Sequence, residues 1–133
     1  MITSILLAHS IWRWVVIIVI IFVTLRALIG WLAKQNWTKF DAELVRYARF
    51  IMYVQVVLGV TLYILSQKWA VGFSFIGSHI IPALLAVGAV EFGAARSRKA
   101  EGSQKKFMFA FIGFVIAIVL VYGALATVGG IFA

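Results

Sequence analysis

The chain has 133 residues, of which 65% are hydrophobic and 12% charged, with a net charge of +8 and no cysteine. Its mean hydropathy of +1.11 excludes a water-soluble domain of this size, which would hold much of that apolar surface against water. The lack of thiols excludes disulfides, thioether-attached haem and iron–sulfur ligation by these residues, and the length fits one membrane domain over 1–133.

The first apolar run, Ile5 to Trp31, is 27 residues long. At 1.5 Å per residue it reaches about 40 Å, more than the ~30 Å hydrocarbon layer. No basic segment precedes it and no small-x-small site follows, so it reads as a span (5–31) and not as a cleavable signal. A short polar loop, Gln35-Asn36-Trp37-Thr38, comes next. Thr38 with Asp41 three residues on reads as a capping box with a short acidic arm, so the second helix starts near Lys39. Its first turns are solvated, with Glu43 and Arg46 forming a surface pair.

The membrane part of that helix, 46–66, ends before Gln67-Lys68-Trp69, and Gly72 to Gly77 reads as an interfacial connection. The third span, 78–95, takes Ser78 as its N-cap and Pro82 in its first turn, where a missing N–H costs little. Arg96 to Lys106 is a charged connection that turns at Gly102-Ser103. The fourth span, 107–128, carries Gly113 and Ala117 four apart, a spacing that lets helices approach closely in lipid. The expected fold is an all-α membrane protein, an antiparallel four-helix transmembrane bundle with short loops.

The cations set the expected orientation. Arg26, Lys34, Lys39, Arg46 and Arg49 flank the first loop, and Arg96, Arg98, Lys99, Lys105 and Lys106 the third. Only Arg13 and Lys68 lie on the other side. Ten against two puts both basic loops in the cytoplasm and both termini on the non-cytoplasmic side. The net charge is thus a topology signal and does not point to nucleic acid. Trp12, Trp14 and Trp69 then mark the outer interface, and Trp31 and Trp37 the inner one.

Two histidines are the most informative polar residues. His9 lies 17 residues before Arg26, and His79 lies 17 before Arg96, so both imidazoles fall at one depth near the outer side. The same count reaches Tyr63 from Arg46 and Gly123 from Lys106. His9 and His79, from diagonal helices, can therefore serve as the axial ligands of one b-type haem, with Gly123 making room for its face. The plain alternative is a pair of interfacial histidines bonded to carbonyls or headgroups. Either way, no histidine lies near the inner side, which excludes two stacked haems held by this chain alone.

Gln55, mid-span in the second helix, shares a face with Gly59 and Tyr63 and reads first as glue between helices, second as a ligand contact. Glu91 reads as an anchor or ion-pair partner near Arg96. Arg13, one turn after His9, faces a quinone oxygen, a lipid phosphate or the headgroup layer. The first span has no mid-membrane carboxylate, which counts against a small proton-coupled exporter, and no nucleotide or hydrolytic motif is present.

The segments His9-Ser10-Ile11-Trp12-Arg13-Trp14 and Gln55-Val56-Val57-Leu58-Gly59-Val60-Thr61-Leu62-Tyr63 resemble small four-span bacterial membrane proteins known as cytochrome-b-like. The chain departs from that pattern at Tyr53, where an acid or histidine is usual, and at Ser78, where an acid is usual. The resemblance implies an accessory subunit of a bacterial respiratory or photosynthetic electron-transfer complex. Such a subunit sits in the cytoplasmic membrane, bound to larger membrane subunits and surrounding lipid or quinone. A single-haem b-type cytochrome ligated by His9 and His79 is the alternative function, and a small transporter comes third.

Overall fold

The computed structural model describes residues 1–65 and 79–126. Four helices follow in order: α1 (Ile2–Leu32), α2 (Lys39–Leu65), α3 (Ile81–Lys99) and α4 (Ser103–Ala126). Three of them, α1, α2 and α4, are long and apolar enough to cross a membrane. The described part of α3 is shorter and carries Glu91 inside it and Arg96, Arg98 and Lys99 in its last turn. The expected cap at Ser78, residue 66 at the end of the second span, Lys68 and Trp69, the Gly72–Gly77 connection and 127–128 lie outside the described residues.

The helices pack in a ring in which α1 touches α2 and α4, and α3 touches α4 and α2; the α2–α3 seam is the thinnest. Large apolar side chains stand on the outside of every helix: Ile18 is 65% exposed, Val57 64%, Leu85 56% and Val119 66%. A chain apolar both inside and outside suits lipid, where no polar surface is needed on the outer face. The interior is built from small residues, Ala48, Ala86, Ala94, Ala110 and Ala117, wedged around Phe107 and Phe114. Small residues matter because helices in lipid associate by close packing. At the α3–α4 crossing a Cβ on Gly93 would sit 2.9 Å from Gly113 Cα, and one on Gly113 would sit 2.7 Å from the Ala89 oxygen.

The turns are tighter than the charge pattern implies. The stretch Arg96–Lys106, expected as a charged connection, is mostly helix: α3 runs to Lys99 and α4 starts at Ser103. Gly102, at φ 89°, makes the left-handed step between them. At the start of α2 the capping box closes reciprocally: Asp41 Oδ2 accepts from the Thr38 N–H at 2.9 Å, and the Asp41 N–H points back at Thr38 Oγ1 at 3.4 Å.

Candidate functional site

The end of the bundle near the α1–α2 and α3–α4 turns is filled by side chains. Asp41, 2% exposed, accepts from Arg26 Nε at 2.8 Å and from Nη2 at 3.2 Å. The same guanidinium lies over the Phe107 ring, 5.1 Å from its centroid, and also donates to Gln35. Trp37 meets Phe107 edge-on at 5.0 Å, and its backbone N–H donates to Ser103 Oγ at 2.8 Å. Trp31 packs beside Phe111, and Trp12 donates its indole N–H to the Ile51 carbonyl at 2.8 Å. These three tryptophans are therefore bundle contacts, whatever their depth. Glu91 does form an ion pair, but across the α2–α3 seam: Arg49 donates to it from Nε at 2.6 Å and from Nη2 at 2.9 Å, with Tyr53 beside the carboxylate. Arg96 instead lies over Phe92 and Phe109.

The opposite end is hollow. A cavity of about 600 Å³ lies among all four helices. It is lined by His9, Ser10 and Arg13 of α1, Gln55, Gly59 and Tyr63 of α2, His79 and Ala83 at the start of α3, and Ala124 of α4. Its remaining lining is aliphatic or Met52, with no carboxylate among the described residues. The size falls within the ~300–1,000 Å³ range of small-molecule sites. Five of the six residues singled out in the sequence, His9, His79, Arg13, Gln55 and Tyr63, thus line one cavity. Gly123 does not: a Cβ there would meet nothing within 4 Å, and the next residue, Ala124, takes the lining position. Counting along a helix fixes depth only, and one residue turns the side chain by about 100°.

Each histidine is seated by a neighbouring helix. His79, in a π-type turn ahead of α3, sets Nδ1 at 3.0 Å from the Ala124 carbonyl oxygen. A neutral imidazole that donates from Nδ1 carries its lone pair on Nε2, the arrangement that metal-bound histidines use with backbone carbonyls. The His9 ring rests over Gly59, where a Cβ would come within 3.2 Å of Cε1. Gln55 ties α2 to α1 by donating from Nε2 to the His9 carbonyl oxygen at 3.0 Å. Its side chain also lies close enough to act on the His9 ring. No hydrogen bond closes between them, however: His9 Nδ1 and Gln55 Oε1 are both buried without a hydrogen-bond partner among the described residues. Two features here had no cue in the reading by depth, the Ala124 carbonyl and Gly59 as a seat. The spacing of Gln55 and Gly59, four apart and hence on one helix face, was the available signal for the second.

No protein family, no curated protein and no solved structure matches the chain.

Proposed function

We propose that the chain is a small bacterial membrane protein of an electron-transfer assembly that holds one b-type haem in this cavity between His9 and His79. The observation that carries the reading is that the only two histidines of the sequence line the same cavity. The walls fit the group: aliphatic side chains suit a flat apolar macrocycle, and the His79–Ala124 bond holds that imidazole in the tautomer with Nε2 as the ligating atom. Both His9 Nδ1 and Gln55 Oε1 are buried without a hydrogen-bond partner among the described residues, and a bond between them would give the second histidine the same support. Gln55 is then a positioning residue.

A bound haem would supply one-electron chemistry. The protein's part is to fix two axial ligands, to keep water from the iron with aliphatic walls, and to set charge around it through Arg13. In this reading the four helices form an antiparallel bundle in the cytoplasmic membrane. Arg26 near the end of α1 bonds Asp41 at the start of α2 while His9 near the start of α1 meets Gln55, as that arrangement requires. The basic loops face the cytoplasm and the cavity faces the outer leaflet. Larger membrane subunits are the electron-transfer partners, a role that rests on the cytochrome-b-like segments alone.

A reduced-minus-oxidised absorbance spectrum of the purified protein, with haem quantified per polypeptide, tests the reading. About one haem per chain is expected, lost in His9→Ala and in His79→Ala. No haem, or a b-type spectrum retained in both variants, overturns the ligation. The chain would then stand as an accessory subunit surrounding lipid or quinone, and would be expected to co-purify in fixed ratio with larger subunits.

A further inference from the structure

Arg49, Tyr53, Val56 and Val60 are spaced four, three and four residues apart, which sets them on one stripe of α2. Glu91, Val87 and Leu84 form the matching stripe of α3, with Ile80 directly ahead of that helix. The stripes are joined at one end, where Arg49 bonds Glu91 from Nε at 2.6 Å and from Nη2 at 2.9 Å. Beyond that pair they part, and Val56, Val60, Ile80, Leu84 and Val87 all line the cavity. Val60 is 44% exposed and Leu84 49%, so each belongs both to the cavity wall and to the outer face of the bundle. On the other side Val16, Ala124 and Leu125 line the same cavity and are buried. The neighbouring seams are stitched by hydrogen bonds. Gln55 donates to the His9 carbonyl oxygen and Trp12 to that of Ile51 across α1–α2, and His79 meets the Ala124 carbonyl oxygen of α4. Helices in lipid are held together by close packing, and α2–α3 is the seam of the ring that has least of it.

We infer that the cavity is filled laterally, by a lipid-dissolved molecule that passes between α2 and α3 at Val60 and Leu84. The rim there is aliphatic, and Val57 and Leu85 beside it are exposed apolar side chains. An apolar molecule thus moves from hydrocarbon to aliphatic wall without crossing water, at little cost in hydration. The Arg49–Glu91 pair holds the far end of the seam, so that only the ends of two helices need to move apart. The inference goes beyond the haem reading: it rests on the membrane placement given there and on the cavity, and does not depend on which ligand is bound. The competing entrance is the tip of α1, where Ile2 and Leu6 line the cavity and are also exposed.

The test closes the seam. The chain has no cysteine, so two introduced ones are its only thiols. Val60→Cys with Ile80→Cys sets a thiol eleven residues from the ion pair on each side of the seam, and Val56→Cys with Leu84→Cys sets one seven residues from it. A short bis-maleimide with a reducible linker joins each pair in the full chain, held in mixed phosphatidylcholine–detergent micelles. Uptake is followed with two probes, neutral 1-aminoanthracene by energy transfer from the tryptophans and haemin by absorbance. The cross-link is expected to slow uptake of at least one probe by about tenfold or more, as closing a gate does. The amount bound at equilibrium should not change, and cleaving the linker should restore the rate. Single-cysteine variants treated in the same way should load as fast as the parent. Uptake that the cross-link does not slow overturns the inference and puts the entrance at the tip of α1. A smaller amount bound at an unchanged rate, failure of both pairs to join, or uptake of neither probe by the parent overturns it as well. The two readings fail separately. Slowed uptake of 1-aminoanthracene with haemin unbound keeps the lateral route and removes the haem. Haemin ligated equally fast in cross-linked and free protein does the reverse.

Discussion

At the Arg26–Asp41 end, Phe107, Trp37 and Ala27 fill the space between the helices; at the His9–His79 end the same helices enclose about 600 Å³. The two ends share a composition dominated by aliphatic residues. They differ in what points inward. The packed end turns in two aromatic rings and a bidentate ion pair, whereas the hollow end turns in Gly59, Ala83 and Ala124 together with a half-shell of polar groups. Bulk toward the turns and small residues toward the histidines make a packed base under a hollow cup. One end fixes the helices by close packing and the other encloses the cavity, the division that a ligand site built on a fixed frame needs.

The comparison breaks most readily at the α3–α4 crossing. Gly93→Val would drive a Cβ to 2.8 Å from the Phe109 carbonyl oxygen and 2.9 Å from Gly113 Cα. Both contacts are backbone, so the helices must part. A loss of about 3 kcal/mol or more is expected, seen as a lower midpoint of thermal unfolding in detergent. A midpoint unchanged by that variant would mean that the crossing is looser than the glycines imply. Asp41→Asn comes next, at about 3 kcal/mol, because it leaves a partly buried guanidinium without its counter-charge. Glu43→Gln, which breaks a pair whose arginine side chain is 62% exposed, should shift the same midpoint by less than about 0.5 kcal/mol. Two ion pairs only two residues apart along α2 thus bracket the effect of burial.

Sequence alone makes much of the frame legible, and its limits have physical causes. Apolar runs, the Thr38–Asp41 box and Gly113 are local signals, and each has its counterpart in the structure. A rule that counts cations by side of the membrane takes Arg26 as a loop charge and is blind to its partner; the bond to Asp41 depends on how the chain folds back. The same holds for Glu91, whose partner lies on another helix and not one turn away on its own. Equal spacing from the basic boundary groups His9, His79 and Tyr63, and these three line one cavity. It misplaces Gly123 because spacing carries no azimuth. The Ala124 carbonyl leaves no trace in sequence at all, since every residue has one.

Gly59→Ala probes the seam between frame and site. Its methyl would stand 3.2 Å from His9 Cε1, a ring tip that can yield by a few tenths of an ångström. The expected cost is below about 1 kcal/mol in stability. If haem is held as proposed, its spectrum is the sensitive readout: tilting His9 should broaden or shift the reduced band while His79→Ala removes it. An unaltered spectrum would show that His9 does not ligate, or that its ring moves without consequence.

Ala83→Leu should change stability as little as Glu43→Gln does and give the clearest contrast with Gly93→Val. Both substitutions add bulk to α3, separated by ten residues, but Ala83 lines the cavity and Gly93 meets backbone. The added carbons at 83 have room, and the extra apolar contact offsets any adjustment, so the unfolding midpoint should stay within about 0.5 kcal/mol of the parent. If the cavity holds haem as proposed, its occupancy should nevertheless fall sharply, because the leucine takes up space inside the cavity. A protein as stable as the parent that has lost its ligand would separate the cup from its base directly. Loss of both together would mean that the ligand helps hold the helices, since whatever binds only the folded state adds to its stability.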